Sequence, residues 1–138
     1  MSLATWKAEF YPVTAIEAGR GTWEQSLEHS IKKWEGLLPE NLERHGAHLS
    51  YYMSVLDSEA GVPLDIDSSS CALCQKAMEQ HYEDGYPELR LGFCQYCPLA
   101  VFLKDKCDND GMPYHTFLAC NNPQPMIDAL KGALVCLK

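Results

Sequence analysis

The chain contains the segments Cys71-Ala-Leu-Cys74 and Cys94-Gln-Tyr-Cys97, with 19 residues between them. Two Cys-x2-Cys pairs at this separation are typical of a structural zinc site, because each pair presents two sulfurs to one ion. Four thiolates fill every position of a tetrahedral zinc ion and leave none for a substrate. The spacing therefore predicts a zinc ion that stabilises the fold, with these four cysteines as its ligands.

Three further cysteines bring the total to seven. Cys107 follows the second pair closely, so it is a possible substitute for Cys97 as the fourth ligand, or it packs as a small apolar residue. Cys120 and Cys136 lie in apolar stretches of predicted helices, which predicts a place in the core. The lack of a Cys-x2-Cys-x2-Cys run favours zinc, but the Cys97-Pro98 step also occurs in ferredoxin-type runs. An iron–sulfur cluster is therefore the alternative cofactor.

The histidines give no catalytic pattern. His81 and His115 lie near the cysteines in sequence and can ligate zinc, but four thiolates already complete a site, so we expect both to lie on the surface or beside the ligands. No nucleophile is paired with a base, and no glycine-rich phosphate-binding motif or nucleophile elbow is present. The sequence leans toward a protein that is not an enzyme and leaves that question open.

Composition and charge limit the class of partner. The 138 residues are 46% hydrophobic and 22% charged, as expected for one globular domain. The net charge is −8, and the 11 Lys and Arg residues are scattered. Phosphate binding needs clustered basic residues, so nucleic acid and anionic membranes are poor partners. A partner protein with a basic surface is the better expectation.

The ends and apolar stretches predict a cytoplasmic location. No charged segment followed by an apolar run marks a signal peptide, and no apolar stretch has the length of a membrane span. Thiols stay reduced in the cytoplasm, where paired cysteines bind metal more often than they form disulfides.

The N-terminal part predicts a strand followed by an amphipathic helix. Residues 4–13 mix aromatic and β-branched side chains with alternating polarity, which indicates a short strand. Thr22 and Gln25 then fit a capping box. Apolar residues follow at helical spacing and predict the buried face of that helix: Trp23, Leu27, Ile31, Trp34 and Leu38.

The remaining chain predicts short elements around the cysteines. Residues 47–56 fit a helix and a strand equally, and residues 57–70 are a linker rich in Asp, Ser, Gly and Pro. A short strand is predicted over 89–93, and Asn122 and Pro123 predict the start of the last helix. We therefore expect a single helix-rich α+β domain. Its N-terminal helical part spans 1–62, and its zinc-stapled cysteine-rich part spans 63–138.

The order of these motifs resembles a group of small cysteine-rich proteins encoded by bacteriophages and some bacterial genomes. The shared features are a helix with Ser30-Ile-Lys-Lys-Trp34, then Cys-x-Leu-Cys, Cys-x2-Cys-Pro, the single Cys107 and Pro113-Tyr114. The resemblance covers roughly residues 23–115, and Met112 stands where the group usually has Thr or Ser. It implies a viral or mobile-element origin, with the host cytoplasm as location. It also implies that Cys107 takes part in the site.

Three hypotheses about function follow from these residues. The leading one is a small zinc-stabilised binding protein, without catalytic activity, that docks on another protein. The first alternative is an iron–sulfur or thiol-redox protein that uses the same cysteines. The second is a nucleic-acid-binding zinc ribbon, which has the cysteine motif but not the basic charge.

Overall fold

The structure, a computed structural model, describes residues 2–50, 53–57 and 63–137. In these stretches it is helix-rich with a small antiparallel sheet, which confirms the α+β class. The helices are α1 (Leu3–Phe10), α2 (Ala15–Gly19), α3 (Trp23–Glu35), α4 (Pro39–Arg44), α5 (Ala72–Glu83), α6 (Pro98–Leu103), α7 (Pro113–Cys120) and α8 (Gln124–Leu137). The strands are β1 (Ala47–Leu49), β2 (Ser54–Asp57) and β3 (Leu64–Asp65), and short 3-10 turns cover Ser68–Ser70 and Gly92–Tyr96.

The predicted N-terminal strand is wrong, because this segment forms helix α1. Ser2 and Thr5 make a reciprocal capping box that satisfies the first free N–H groups. Leu3, Trp6 and Phe10 are buried on one face of the helix. Their spacing of three and four residues is helical, and burial of these large apolar side chains outweighs the β-propensity of the segment.

Helix α3 is the central element, and its predicted start is confirmed. Of the predicted buried face, Trp23 and Leu38 are only partly buried, and Leu38 lies beyond the end of the helix. The Thr22 side chain accepts from the Gln25 N–H, and the Gln25 side chain accepts from the Thr22 N–H, as expected of a capping box. Leu27, Ile31 and Trp34 are buried. The helix contacts α1, α2, α5 and α8, so its apolar face organises the core.

Aromatic packing joins α3 to α7. The Trp34 ring meets the Phe117 ring edge-on, with centroids 4.7 Å apart, and meets Tyr114 in the same way at 6.0 Å. Trp34 is 3% exposed and Phe117 is fully buried. Edge-to-face pairs of this kind stabilise a fold beyond the area they bury.

Helix α1 is held against the end of α3 at Gly36. The Trp6 Nε1 group donates to the Gly36 carbonyl at 2.8 Å. A Cβ atom on Gly36 would lie 2.6 Å from Phe10 Cγ, so only glycine permits this close approach.

The sheet resolves the ambiguous segment 47–56 as strands. Its order is β1-β2-β3, both pairs are antiparallel, and Ala47 pairs with Asp57 while Val55 pairs with Leu64. Strand β3 and the turn Ser68–Ser70 lie within the linker predicted over 57–70. Residues 58–62 of that linker fall outside the described residues, and so does the boundary predicted at residue 62 between the two parts of the domain.

The strand predicted over 89–93 is also wrong, because the 3-10 turn Gly92–Tyr96 takes its place. Gly92 has a φ of 59°, which breaks an extended conformation at this point. None of the helices within the described residues is long and apolar enough to cross a membrane.

Removing the Trp34 ring tests the core. We expect Trp34→Ala to lower the free energy of unfolding by about 3–5 kcal/mol, because it leaves a cavity among α3, α7 and α8. Val135→Ala is the control, since Val135 is 74% exposed, and we expect it to change stability by less than about 0.5 kcal/mol. Urea unfolding followed by circular dichroism measures both. Equal stability of the two variants would contradict this account of the core.

An ion-pair network ties α1 to α4 and to the residue that follows it. The Glu9 carboxylate accepts from Arg44 Nη2 at 2.8 Å and lies 2.5 Å from Nε2 of the buried His45. His45 Nδ1 lies 3.0 Å from Thr5 Oγ1. Hydrogen bonds from Arg44 and then from His45 hold the pKa of Glu9 at about 2, below its ordinary value of 4.5.

The lowered pKa of Glu9 predicts an acid-sensitive contribution to stability. A carboxyl group that binds its proton less tightly in the folded state stabilises the fold above about pH 4.5, and that contribution is lost as the pH falls toward 2. We expect Glu9→Gln to flatten the dependence of unfolding free energy on pH in this range. The exposed Glu40→Gln on α4 should keep the wild-type profile. A Glu9→Gln profile parallel to wild type would show that the network contributes nothing.

Candidate metal centre

The first cysteine pair lies at the start of α5. Cys71 is the residue before the helix, and its sulfur accepts from the backbone N–H groups of Leu73 and Cys74. The Asp67 side chain accepts from the Ser69 N–H and orders the 3-10 turn that leads into the pair. The local fold therefore turns Cys71 toward the first turn of a 12-residue helix, where the helix dipole favours negative charge.

Cys71 and Cys74 form a hydrogen-bonded pair in which one sulfur is the acceptor. The Cys74 thiol donates to Cys71, and this bond, followed by the ammonium group of Lys33, holds the pKa of Cys71 well below its ordinary value. The same bond and burial raise the pKa of Cys74. The pair therefore favours one thiolate, on Cys71.

The second cysteine pair lies where the turn Gly92–Tyr96 meets α6. Cys94 is half-buried within the turn, and Cys97 is the residue before the helix. The Cys97 sulfur accepts from the N–H groups of Leu99 and Ala100, and burial raises its pKa to about 12. Burial also raises the pKa of Cys94.

Cys107 is held near both pairs by Tyr114. The Tyr114 N–H donates to the Cys107 carbonyl at 2.9 Å, and the Tyr114 hydroxyl donates to the Ile66 carbonyl at 2.5 Å. Tyr114 thus links the loop of Cys107, through its backbone N–H, to the segment that precedes the first pair, through its hydroxyl. Burial raises the pKa of the Cys107 thiol, and the charges of Cys71 and Cys97 raise it further.

These segments enclose one cavity of about 350 Å³. Its thiol lining comes from Cys71, Cys74, Cys94 and Cys107. Cys97 is buried and acts electrostatically on Cys71 and Cys74, but it does not line the cavity. Apolar side chains form much of the remaining wall: Trp34, Leu73, Phe93, Leu99, Tyr114, Met126 and Leu130.

Polar residues complete the wall: Asp67, Ser68 and Asp108, and from α3 Ser30 and Lys33, which the sequence prediction missed. Lys33 and Ser30 line the cavity and are each 1% exposed. The Lys33 ammonium donates to the Ser70 carbonyl at 3.0 Å and to the Ser70 hydroxyl at 3.3 Å. A signal existed: Ser26, Ser30, Lys33 and Leu37 are spaced by four, three and four residues, so small side chains lie in one row with this lysine.

The other predicted residues lie away from the cavity. His115 is half-exposed and pairs with Asp110, with Nε2 3.3 Å from the carboxylate, while His81 packs against Tyr86 and Tyr96. Cys120 and Cys136 do lie on helices, but they are exposed, so their predicted core positions are wrong. Each lies in the last turn of its helix, beyond the buried residues Phe117 on α7 and Ala133 on α8.

The four thiols are suitable ligands for a thiophilic metal, but they are not grouped around a single point. Among the described residues, no three His, Cys, Asp or Glu side chains are grouped closely enough to hold a single ion. The four thiols instead surround a cavity larger than one ion requires. The four thiols therefore do not form a closed tetrahedral set within the described residues, and zinc binding stays a prediction.

Comparison of the chain with protein-family models, with curated proteins and with solved structures gives no match. The function therefore has to be argued from the site itself.

Proposed function

We propose that this protein is a small metal-stabilised binding protein whose cysteine site takes zinc. The observation that supports this is the convergence of four thiols from three separate segments on one cavity, while Cys97 is buried outside its lining and Cys120 and Cys136 are exposed. A thiophilic ion bound by these four thiols would explain why they lie around one cavity.

The cavity lining favours Cys107 as the fourth ligand beside Cys71, Cys74 and Cys94. Zinc supplies two positive charges that offset the thiolates and links three chain segments that otherwise meet only through packing. The backbone N–H groups of Leu73 and Cys74 donate to the Cys71 sulfur and stabilise its thiolate. Apolar side chains of the cavity wall pack around the proposed ligands. In this role the chain's own residues hold the ion and no reaction occurs there.

Exposed apolar side chains beside the site support a binding role. Val101 and Phe102 on α6 are 64% and 40% exposed, and Val135 on α8 is 74% exposed. Phe102 lies over Gly132 of α8, where a Cβ atom would come within 2.6 Å of its ring. Because Leu99 of α6 lines the cavity, this face lies on a helix that borders the proposed site. A partner with apolar contacts and a basic rim would match it, given the net charge of −8.

An iron–sulfur cluster is the second candidate, and the size of the cavity favours it. A cluster held by four cysteines is larger than one zinc ion and needs thiols set apart around it. The 350 Å³ cavity and the open spacing of its thiols agree with that requirement.

Metal analysis separates these candidates. We expect protein purified without added metal to contain about one zinc per chain and no visible absorption band, as a structural thiolate site requires. Chelation of the zinc should lower the melting temperature, because part of the folding free energy comes from metal binding. Iron with a visible band would establish the second candidate instead. Metal-free protein with an oxidised Cys71–Cys74 pair would overturn both and indicate a dithiol.

Serine variants test the ligand set. We expect Cys107→Ser to weaken zinc binding by about tenfold or more, because it removes a residue that binds the metal directly. Cys97→Ser should weaken zinc binding less, because Cys97 does not line the cavity. Cys120→Ser is the matched control, since Cys120 is exposed, and it should bind zinc like wild type. Competition with a chromophoric chelator measures all three. Loss of zinc in Cys97→Ser with retention in Cys107→Ser would restore the set predicted from spacing alone.

A further inference from the structure

Lys33 is the only lysine in the described chain that is buried, and its burial has to be compensated. An ammonium group removed from water costs several kcal/mol unless a charge or several hydrogen bonds replace the solvent. Its two hydrogen bonds reach the carbonyl and hydroxyl of Ser70. No carboxylate within the described stretches forms an ion pair with it.

Burial lowers the pKa of the Lys33 ammonium group, and neighbouring groups oppose this effect when they are ionised. In order of strength they are Cys71, Cys74, Asp67 and Cys107. Two of its three N–H bonds are assigned to Ser70, which leaves one donor for the cavity side. Asp67 lines the same cavity, so thiolates there would add to the negative charge that its carboxylate places near the ammonium group.

Ser30 provides a second donor from the same helix. Its hydroxyl lines the cavity one turn before Lys33, is buried, and has no hydrogen-bond partner among the described residues. Buried hydroxyl groups nearly always have a partner, so this one indicates a missing acceptor at the cavity. The lining residues whose side chains can accept include the four cysteines, Asp67, Ser68 and Asp108, and the cysteine sulfurs are the acceptors that a bound thiophilic ion would gather.

We propose that Lys33 and Ser30 are outer donors to an anionic metal–thiolate centre, and that they make the cavity specific for a centre of net negative charge. The inference rests on the proposed metal site and deepens it. Four thiolates around one divalent ion have a net charge of about −2. Lys33 offsets half of that charge, and the two donors bond to sulfur without touching the metal. They are positioning residues for the ligands.

Neutral variants of the two lysines on α3 test this inference. Lys33→Met keeps the length of the side chain and removes its charge. We expect it to weaken zinc binding about 10–100-fold, as removal of an outer hydrogen-bonding partner does. Lys32→Met is the matched control, because Lys32 is the neighbouring residue on α3 and is exposed. It changes the net charge equally and should leave zinc affinity within about twofold of wild type.

A cobalt spectrum distinguishes a direct effect on sulfur from a loss of packing. Removing a positive donor raises the energy of the sulfur electrons, so the thiolate-to-cobalt charge-transfer band should move to longer wavelength in Lys33→Met. Metal-free Lys33→Met should unfold at the same temperature as wild type or higher, since an apolar side chain replaces a buried charge. Ser30→Ala leaves Lys33 in place and should weaken zinc binding about tenfold. This variant tests the inference even if Lys33→Met does not fold.

The outcomes separate this inference from the metal site itself. If wild type binds zinc and Lys33→Met binds it equally tightly, the inference is wrong and the metal site stands. Weaker binding with an unchanged cobalt band would assign Lys33 a packing role only and would also overturn the inference. If wild type binds neither zinc nor cobalt, the proposed function is wrong and the inference falls with it.

Discussion

The burial of the Lys33 ammonium group is the constraint on which the rest of the site depends. A cation that is 1% exposed and hydrogen-bonded only to Ser70 within the described residues needs negative charge close by. Asp67 supplies part of that charge, and the lowered pKa of Cys71 favours a thiolate that supplies more. Lys33, Asp67 and the Cys71 thiolate therefore offset one another's charge at the cavity, and removing one of them leaves the others less compensated.

Helix α3 joins this set to the hydrophobic core. Its apolar side chains Leu27, Ile31 and Trp34 pack into the core, while Ser30 and Lys33 reach the cavity from the same helix. Trp34 takes part in both, because it contacts Phe117 in the core and also lines the cavity. The position of the lysine is thus fixed by core packing, and the site has a rigid wall on one side. The remaining wall combines residues of α5, α6, α7 and α8 with the segments around Asp67, Phe93 and Cys107, and the hydrogen bond from Tyr114 to Ile66 links two of these parts.

The sequence predicted what depends on local pattern and missed what depends on tertiary contact. The capping box of Thr22 and Gln25 and the apolar stripe that ends at Trp34 are local signals, and α3 was predicted correctly. Helix α1 was missed because its aromatic residues favour a strand, while the decisive contribution is the burial of Trp6 and Phe10 over Gly36. The cysteine pairs identify the donors from spacing alone. Their separation around a cavity, and the presence of a lysine among them, depend on how α3 packs against α5 and could not be read from either segment.

The arrangement of the cysteine pairs also relates the cavity to the exposed face of α6. Both pairs lie at helix starts, with Cys71 directly before α5 and Cys97 directly before α6. Leu99 of α6 lines the cavity, while Val101 and Phe102 of the same short helix are exposed, and the Phe102 ring lies over Gly132 of α8. The cavity wall and the exposed apolar face therefore share one helix, which packs against α8.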